Sequence, residues 1–287
     1  MTDNNILQHQ KSLGLALSGG GARGLAHIGV LKVVTEENIL ISSLAGCSMG
    51  GLVSALFAIG YTIKEIERIA IKHTTLREMI NLVDRTPRRR GLILGQRLRN
   101  LLAQLIGKDT NFSDTLIPLS LNAVDLITSQ EVVLTEGNLL DAVMSTIAVP
   151  GFFAPVNIAK MQLIDGGTLN NLPVKNLKPF SPEVILAVDV HPDTTREVPW
   201  QFAGQKARFP FPLPDFFLDF YRAQLIMITK LTELNLTYDK PDLLIKPNLP
   251  PEITMFYGYH KADKIIALGE KSMRKNLDKL KPLIFEK

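Results

Sequence analysis

Ser48 lies in "GCSMG", flanked by Gly46 and Gly50, and Asp165 lies in "LIDGG", followed by Gly166 and Gly167. The first run satisfies G-x-S-x-G, the spacing of a nucleophile elbow. In such an elbow, glycines let a strand and a helix approach closely while the serine oxygen is lifted above the sheet edge. A helix that starts at the serine adds partial positive charge, which favours an alkoxide or an oxyanion there. Attack on an acyl carbonyl is the chemistry such a serine performs. Capping of a buried helix is the plainer role of the same residue, and the motif alone does not separate the two.

A nucleophilic serine needs a base, and the chain has five histidines: His9, His27, His73, His191 and His260. His9 falls in a polar leader, and His27 and His73 fall within helical patterns. His191 follows the apolar run "VILAVDV", and His260 lies in "FYGYHKAD". Asp165 competes with them, because a carboxylate held at hydrogen-bond distance from a serine can act as general base. Ser48, Asp165 and His260 also follow the chain order of a Ser-Asp-His triad, so a dyad and a triad are both open at this point.

A third run, "SGGGARG" (Ser18 to Gly24), contains G-x-G-x-x-G at Gly19, Gly21 and Gly24. After a strand and before a helix, that spacing is also a dinucleotide fingerprint, which needs a carboxylate at the end of the following strand to hold a ribose hydroxyl. Here the following strand ends in "AGCSMG", with no carboxylate. Consecutive glycine amides can instead bind the oxygen of a tetrahedral intermediate. One shared site for the two glycine turns is the simpler inference.

Such residues require a scaffold that brings strand ends together. Apolar runs at "LGLALS", "ISSLAG", "LSLNAVDLIT", "QEVVLTEG", "QLID", "VILAVDV" and "DLLIKP" alternate with helical patterns, which predicts a largely parallel sheet covered by helices. Helices are expected through "RGLAHIGVLKVVTEEN", from "GLVSALFAIG", over Asp215 to Leu236, and as one amphipathic helix from Tyr259 to Leu280. A segment rich in Pro and Phe between His191 and Asp215 reads as an irregular excursion. No repeat or clean linker divides the 287 residues, so one domain over 1–287 is expected.

Taken in order, "GGGARG", "GCSMG" and "DGG" resemble the patatin-like phospholipases, lipid acyl hydrolases with a Ser-Asp dyad. The resemblance extends through "ALSGGGARGLAHIGVLKVV", "STIAVPGFFAPV" and "LIDGGTLNNLPV", roughly residues 13–190, while 191–287 are less distinctive. It implies an α/β fold, a three-layer α/β/α sandwich with a mainly parallel central sheet. It implies Ser48 as nucleophile, Asp165 as base, and Gly19, Gly20, Gly21, Ala22 and Arg23 as the oxyanion loop. Gly24, Gly46, Gly50, Gly166 and Gly167 are then the motif glycines. The implied substrate is a lipid or other acyl ester, with no cofactor and no metal. Cys47 stands where Thr or Ser is unremarkable in this family, and the expectation is that it leaves the chemistry unaffected. A Ser48-Asp165-His260 triad and a non-catalytic regulatory protein on the same fold are the alternatives.

Composition narrows the setting. With 46% hydrophobic and 21% charged residues the chain reads as an ordered globular protein, and its formal charge of +4 allows an anionic partner without requiring one. No nucleic-acid partner is expected. The single cysteine excludes an intrachain disulfide and a cysteine-based zinc cage. The leader "MTDNNILQHQKS" lacks the basic-then-apolar order of a secretory signal, so a cytoplasmic location is expected.

Peripheral membrane contact has two candidate sources. Arg85, Arg88, Arg89 and Arg90 precede a helical pattern with Leu94, Leu98, Leu101, Leu102 and Leu105 on one side, which suits an anionic lipid surface or, equally, a core-packed helix beside a basic loop. Trp200, Phe202, Phe209, Phe211, Phe216 and Phe217, within 199–227, cover the core, line a groove or touch lipid, and exposure would favour a lid. Oligomeric state is not indicated.

Overall fold

Leucines alternate with small residues in "LGLAL", and the strand they form, β1 (Leu13–Leu17), is buried throughout its length. The computed structural model describes residues 10–75, 95–192 and 215–285. Strand β1 lies between β2 (Ile41–Gly46) and β7 (Val184–Val188), parallel to both, with Leu17 level with Gly46 and with Val188. Outward from β2, the strand β3 (Leu119–Asp125) is parallel to β2, while β4 (Gln130–Leu134) and β6 (Met161–Asp165) pair with β3 antiparallel. The short β5 (Val156–Ile158) pairs with β6, and β8 (Leu243–Ile245) closes the other edge beside β7.

The period-two alternation sorts the sheet's two faces by size. Leu13, Leu15, Leu17, Leu44, Leu186 and Val188 enter the larger core, which helices cover. These are α1 (Ala26–Glu36), α2 (Ser48–Ala58), α3 (Ile63–His73), α4 (Gln96–Ile106) and α5 (Leu139–Thr146), with α7 (Ala262–Lys275) and α8 (Leu277–Ile284) contributing from the C-terminal part. Ala16, Ala45 and Ala187 face the other way, and their small side chains let Leu172, Val174 and Leu177 pack close to the sheet, with Leu236 of α6 (Asp215–Tyr238) beyond them. The central sheet is therefore flanked by helices, the α/β layering expected from the sequence.

Helices α1 and α7 cross at near backbone contact. A side chain on Gly29 would collide with the Ile266 carbonyl, and one on Gly269 with the Ala26 carbonyl. Substitution of either would push the helices apart.

Several elements differ from the sequence reading. The expected terminal helix is two helices, broken at Asn276, whose amide and side chain bond back to the Met273 and Ser272 carbonyls and end α7. Strand β5 and helix α5 are additional elements. Leu98, Leu102 and Leu105 of α4 pack on the core, the plainer of the two readings of that helix. Arg85, Arg88, Arg89, Arg90, Leu94, Trp200, Phe202, Phe209 and Phe211 lie outside the described residues.

Parallel β1 and β2 end side by side, so the loops that leave them emerge as neighbours at the carboxyl edge of the sheet. Strand β3 runs on past Gly46, and β6 returns along it with Asp165 opposite Ala123. Three chain segments far apart in sequence thus converge at one point.

Candidate active site

The turn between β2 and α2 is sharp because its residues leave no room for a gradual one. Cys47 is extended and Ser48 takes φ of 51°, a left-handed conformation uncommon for a residue with a side chain. A Cβ on Gly46 would lie 2.6 Å from the Gly51 Cα, and one on Gly50 would collide with the Leu17 and Ser18 carbonyls. The Cys47 amide donates to the Leu17 carbonyl at 3.1 Å, which fixes the turn against the end of β1. The Ser48 amide donates to Thr146 Oγ1 at 2.9 Å. Ser48 is left 7% exposed at the first position of α2.

Asp165 ends β6 and is 5% exposed. Its Oδ1 accepts the Gly167 amide at 2.8 Å, which turns the chain into a short 3-10 segment over Gly166–Thr168. The Cys47 thiol donates to the same oxygen at 3.5 Å. Burial raises the Asp165 pKa to about 6, and hydrogen bonds from Ser48, the Gly167 amide and Cys47 work in the opposite direction. Gly166 packs against Asn122, with no space for a side chain.

The glycine run continues from β1. The Gly19 amide donates to the Asn171 carbonyl at 3.1 Å, and the Asn171 side chain donates back to the Gly19 carbonyl at 3.5 Å. A Cβ on Gly19 would lie 3.0 Å from that of Ser48, so this backbone passes directly beside the serine. Gly21 has φ of 56°, and a Cβ there would collide with the Met255 backbone. The Ala22 amide donates to the Met255 carbonyl and the Arg23 amide to that of Gly20. Among the described residues, the amides of Gly20 and Gly21 have no hydrogen-bond partner. Gly24 packs against Met49 of α2.

Arg23 is turned inward. Its Nε donates to the Val190 carbonyl at 2.6 Å and its Nη1 to that of Ile253 at 3.1 Å, so the guanidinium straps the loop to the ends of two distant segments. Beyond Ile253, Phe256 stacks on Phe152 with ring centroids 3.6 Å apart, and the Tyr221 ring lies 5.4 Å from Phe256. Burial pushes the Tyr221 hydroxyl up to about 12, keeping it neutral.

The histidines sit elsewhere. His27 is buried with Nε2 2.8 Å from the Ser18 carbonyl, so that nitrogen carries the proton, and burial lowers its pKa to about 4. His191 packs under α6 with Nε2 3.4 Å from the Leu225 carbonyl, and burial lowers its pKa as well. His260 is exposed and meets Tyr257 edge-on at 5.2 Å. Asp165 thus has a serine, a thiol and a backbone amide as partners, and none of them is a histidine. Among the described residues no group of His, Cys, Asp and Glu is placed to hold a metal ion, and no helix is long and apolar enough to cross a membrane.

Thr146, Asn171 and Met255 complete the arrangement and carry no signal in residue spacing. Thr146 and Asn171 fall inside the quoted runs "STIAVPGFFAPV" and "LIDGGTLNNLPV", yet nothing there tells that one will accept from Ser48 and the other will clamp Gly19. The Cys47 backbone is extended, and its side chain turns toward Asp165 and touches the carboxylate.

Comparison with known proteins fits this geometry. An uncharacterized NTE family protein of Mycobacterium tuberculosis is 34% identical over 186 residues, which is 63% of this chain and 30% of the relative. Lysophospholipase NTE1 of Eremothecium gossypii is 30% identical over 184 residues, 63% of this chain and 12% of the relative. The chain therefore spans less than a third of the length of either. VipD from Legionella pneumophila shares the fold, with a TM-score of 0.51 at 14% identity, over 94% of this chain and 67% of that one. The family model for patatin-like phospholipase matches residues 15–178. With its elbow, its glycine loop and Asp165 all inside that match, the chain belongs to the patatin-like phospholipase family.

Proposed function

We propose that the chain is a lipid acyl hydrolase that cleaves acyl esters of phospholipids or lysophospholipids through Ser48 and Asp165. The observation that carries this reading is a serine held in a left-handed turn at a helix start beside a buried carboxylate, with no histidine between them. As Ser48 Oγ attacks the ester carbonyl, its proton passes to Asp165, and negative charge develops beside the Gly20 and Gly21 amides. The alcohol or lysolipid leaves with that proton. Water then attacks the acyl-enzyme, giving one proton to Asp165, and the fatty acid departs as Ser48 regains its hydrogen.

A lysophospholipase among the relatives supports the choice of lipid substrate, although the match covers a small part of that protein. Phe152, Phe256 and Tyr221 pack as an aromatic cluster next to Met255, whose backbone abuts Gly21 of the glycine loop. A triad with His260 is less well supported, since that ring is exposed and Asp165 is already satisfied by other donors. Turnover of acyl esters of increasing chain length, on wild type and on Ser48→Ala, tests the reading. Loss of all turnover in a folded Ser48→Ala is expected. An undiminished rate would refute it, and a wild type inert on every ester would favour a regulatory protein on this fold.

A further inference from the structure

Cys47 is the chain's one cysteine and has no part in the steps above, yet its sulfur lies 3.5 Å from Asp165 Oδ1 in a fully buried setting. An ionised carboxylate oxygen can only accept, so the Cys47 S–H is the donor in this contact. The Gly167 amide meets that same oxygen at 2.8 Å. Two donors therefore hold Oδ1, and the Ser48 side chain bonds the same carboxylate.

We propose that Cys47 is a positioning residue for the base, its S–H fixing the Asp165 carboxylate toward Ser48. The inference rests on the dyad reading above. Donation to a carboxylate stabilises its charged form, so the thiol favours the state of Asp165 that accepts a proton. Burial, the Asp165 charge and the Asp165 hydrogen bond all hold the thiol pKa well above its usual range, so it stays protonated and able to donate.

Few other titratable groups face this pair. Ser48 comes from the elbow with Cys47, Gly167 offers its backbone, and Glu131 of β4 acts on the thiol through its charge. Glu131 is itself paired with Lys175 at 2.6 Å. The influences on Asp165 are burial, Ser48, Gly167 and Cys47, with no charged side chain among them, so removal of one donor has no nearby charge to mask it.

The pH dependence of kcat/KM on a soluble short-chain ester, from about pH 5 to about pH 9, tests this on wild type, Cys47→Ala, Cys47→Val and Cys47→Ser. Cys47→Val fills the space with one more heavy atom and lacks the donor, which guards against a cavity effect in Cys47→Ala. Loss of the donor should move the acid limb upward by about half to one pH unit in both apolar variants, the scale of one modest hydrogen bond. Cys47→Ser restores a donor and should keep the limb at or below its wild-type position. Limbs that coincide in wild type and the folded apolar variants would overturn the proposal, as would a Cys47→Ser limb displaced like that of Cys47→Ala. A wild-type profile without an acid limb, or an active Asp165→Asn, would overturn the dyad reading and this inference with it.

Discussion

The Ser48 amide donates to Thr146 Oγ1 at 2.9 Å, so the serine's own backbone donor is already occupied. In the glycine loop beside it, the Gly20 and Gly21 amides have no hydrogen-bond partner among the described residues, which makes them candidate donors to a substrate oxygen. Thr146→Val removes the acceptor, keeps the shape and leaves a buried N–H unsatisfied. Stability should fall by roughly 1–3 kcal/mol and kcat by about tenfold as the elbow loosens, while Thr146→Ser should retain both. Denaturant unfolding and steady-state kinetics on the two variants measure this.

Gly21→Ala combines two problems, a positive φ and a collision with the Met255 backbone. The loop can accept the methyl group only by moving its amides. A kcat lower by about 100-fold, with KM little changed, is the expected signature of a lost oxyanion donor. An unchanged kcat in a variant that folds would place the oxyanion donors elsewhere.

Asp165 predicts opposite effects on stability and on rate. Its folded pKa of about 6 lies above the ordinary 3.8, so the folded state binds the proton more tightly. The associated stability is full below the lower value and is lost as pH rises through the upper one. Asp165→Asn removes that loss. Melting curves should show the variant more stable than wild type near pH 8, by up to roughly 3 kcal/mol, with the gain vanishing near pH 4. Its ester turnover should be abolished, and the wild-type rate should fall as pH drops through about 6 because the base becomes protonated.

His260→Ala separates the dyad from a triad. The ring is exposed and touches Tyr257, so its loss should leave most activity and a pH profile like that of wild type. A catalytic histidine would instead cost several powers of ten.

The convergence of Ser48, Asp165 and Gly19 is legible in the sequence because each sits at the end of an apolar run, next to glycines that only a close approach requires. Alternation of large and small residues in "LGLAL" likewise announces which face of β1 takes the larger core. The supporting shell is less legible. Thr146 meets Ser48 across 98 residues, and Arg23 meets Ile253 across 230, through a hydroxyl and a backbone carbonyl that no local pattern marks. Helix α5 is short, and its signal is the Asn138 side chain, which accepts the Asp141 amide at its start. The break at Asn276 escapes notice because the amphipathic pattern runs on across it, and only the bonds of Asn276 back to α7 reveal the stop.

Covalent labelling by a serine-reactive fluorophosphonate, with the adduct mapped by mass spectrometry, tests the central claim most directly. Wild type should carry one adduct on Ser48, Ser48→Ala should carry none, and Asp165→Asn should label far more slowly while His260→Ala labels at close to the wild-type rate. An adduct on another residue, or labelling that survives Ser48→Ala, would contradict the assignment of Ser48 as the nucleophile.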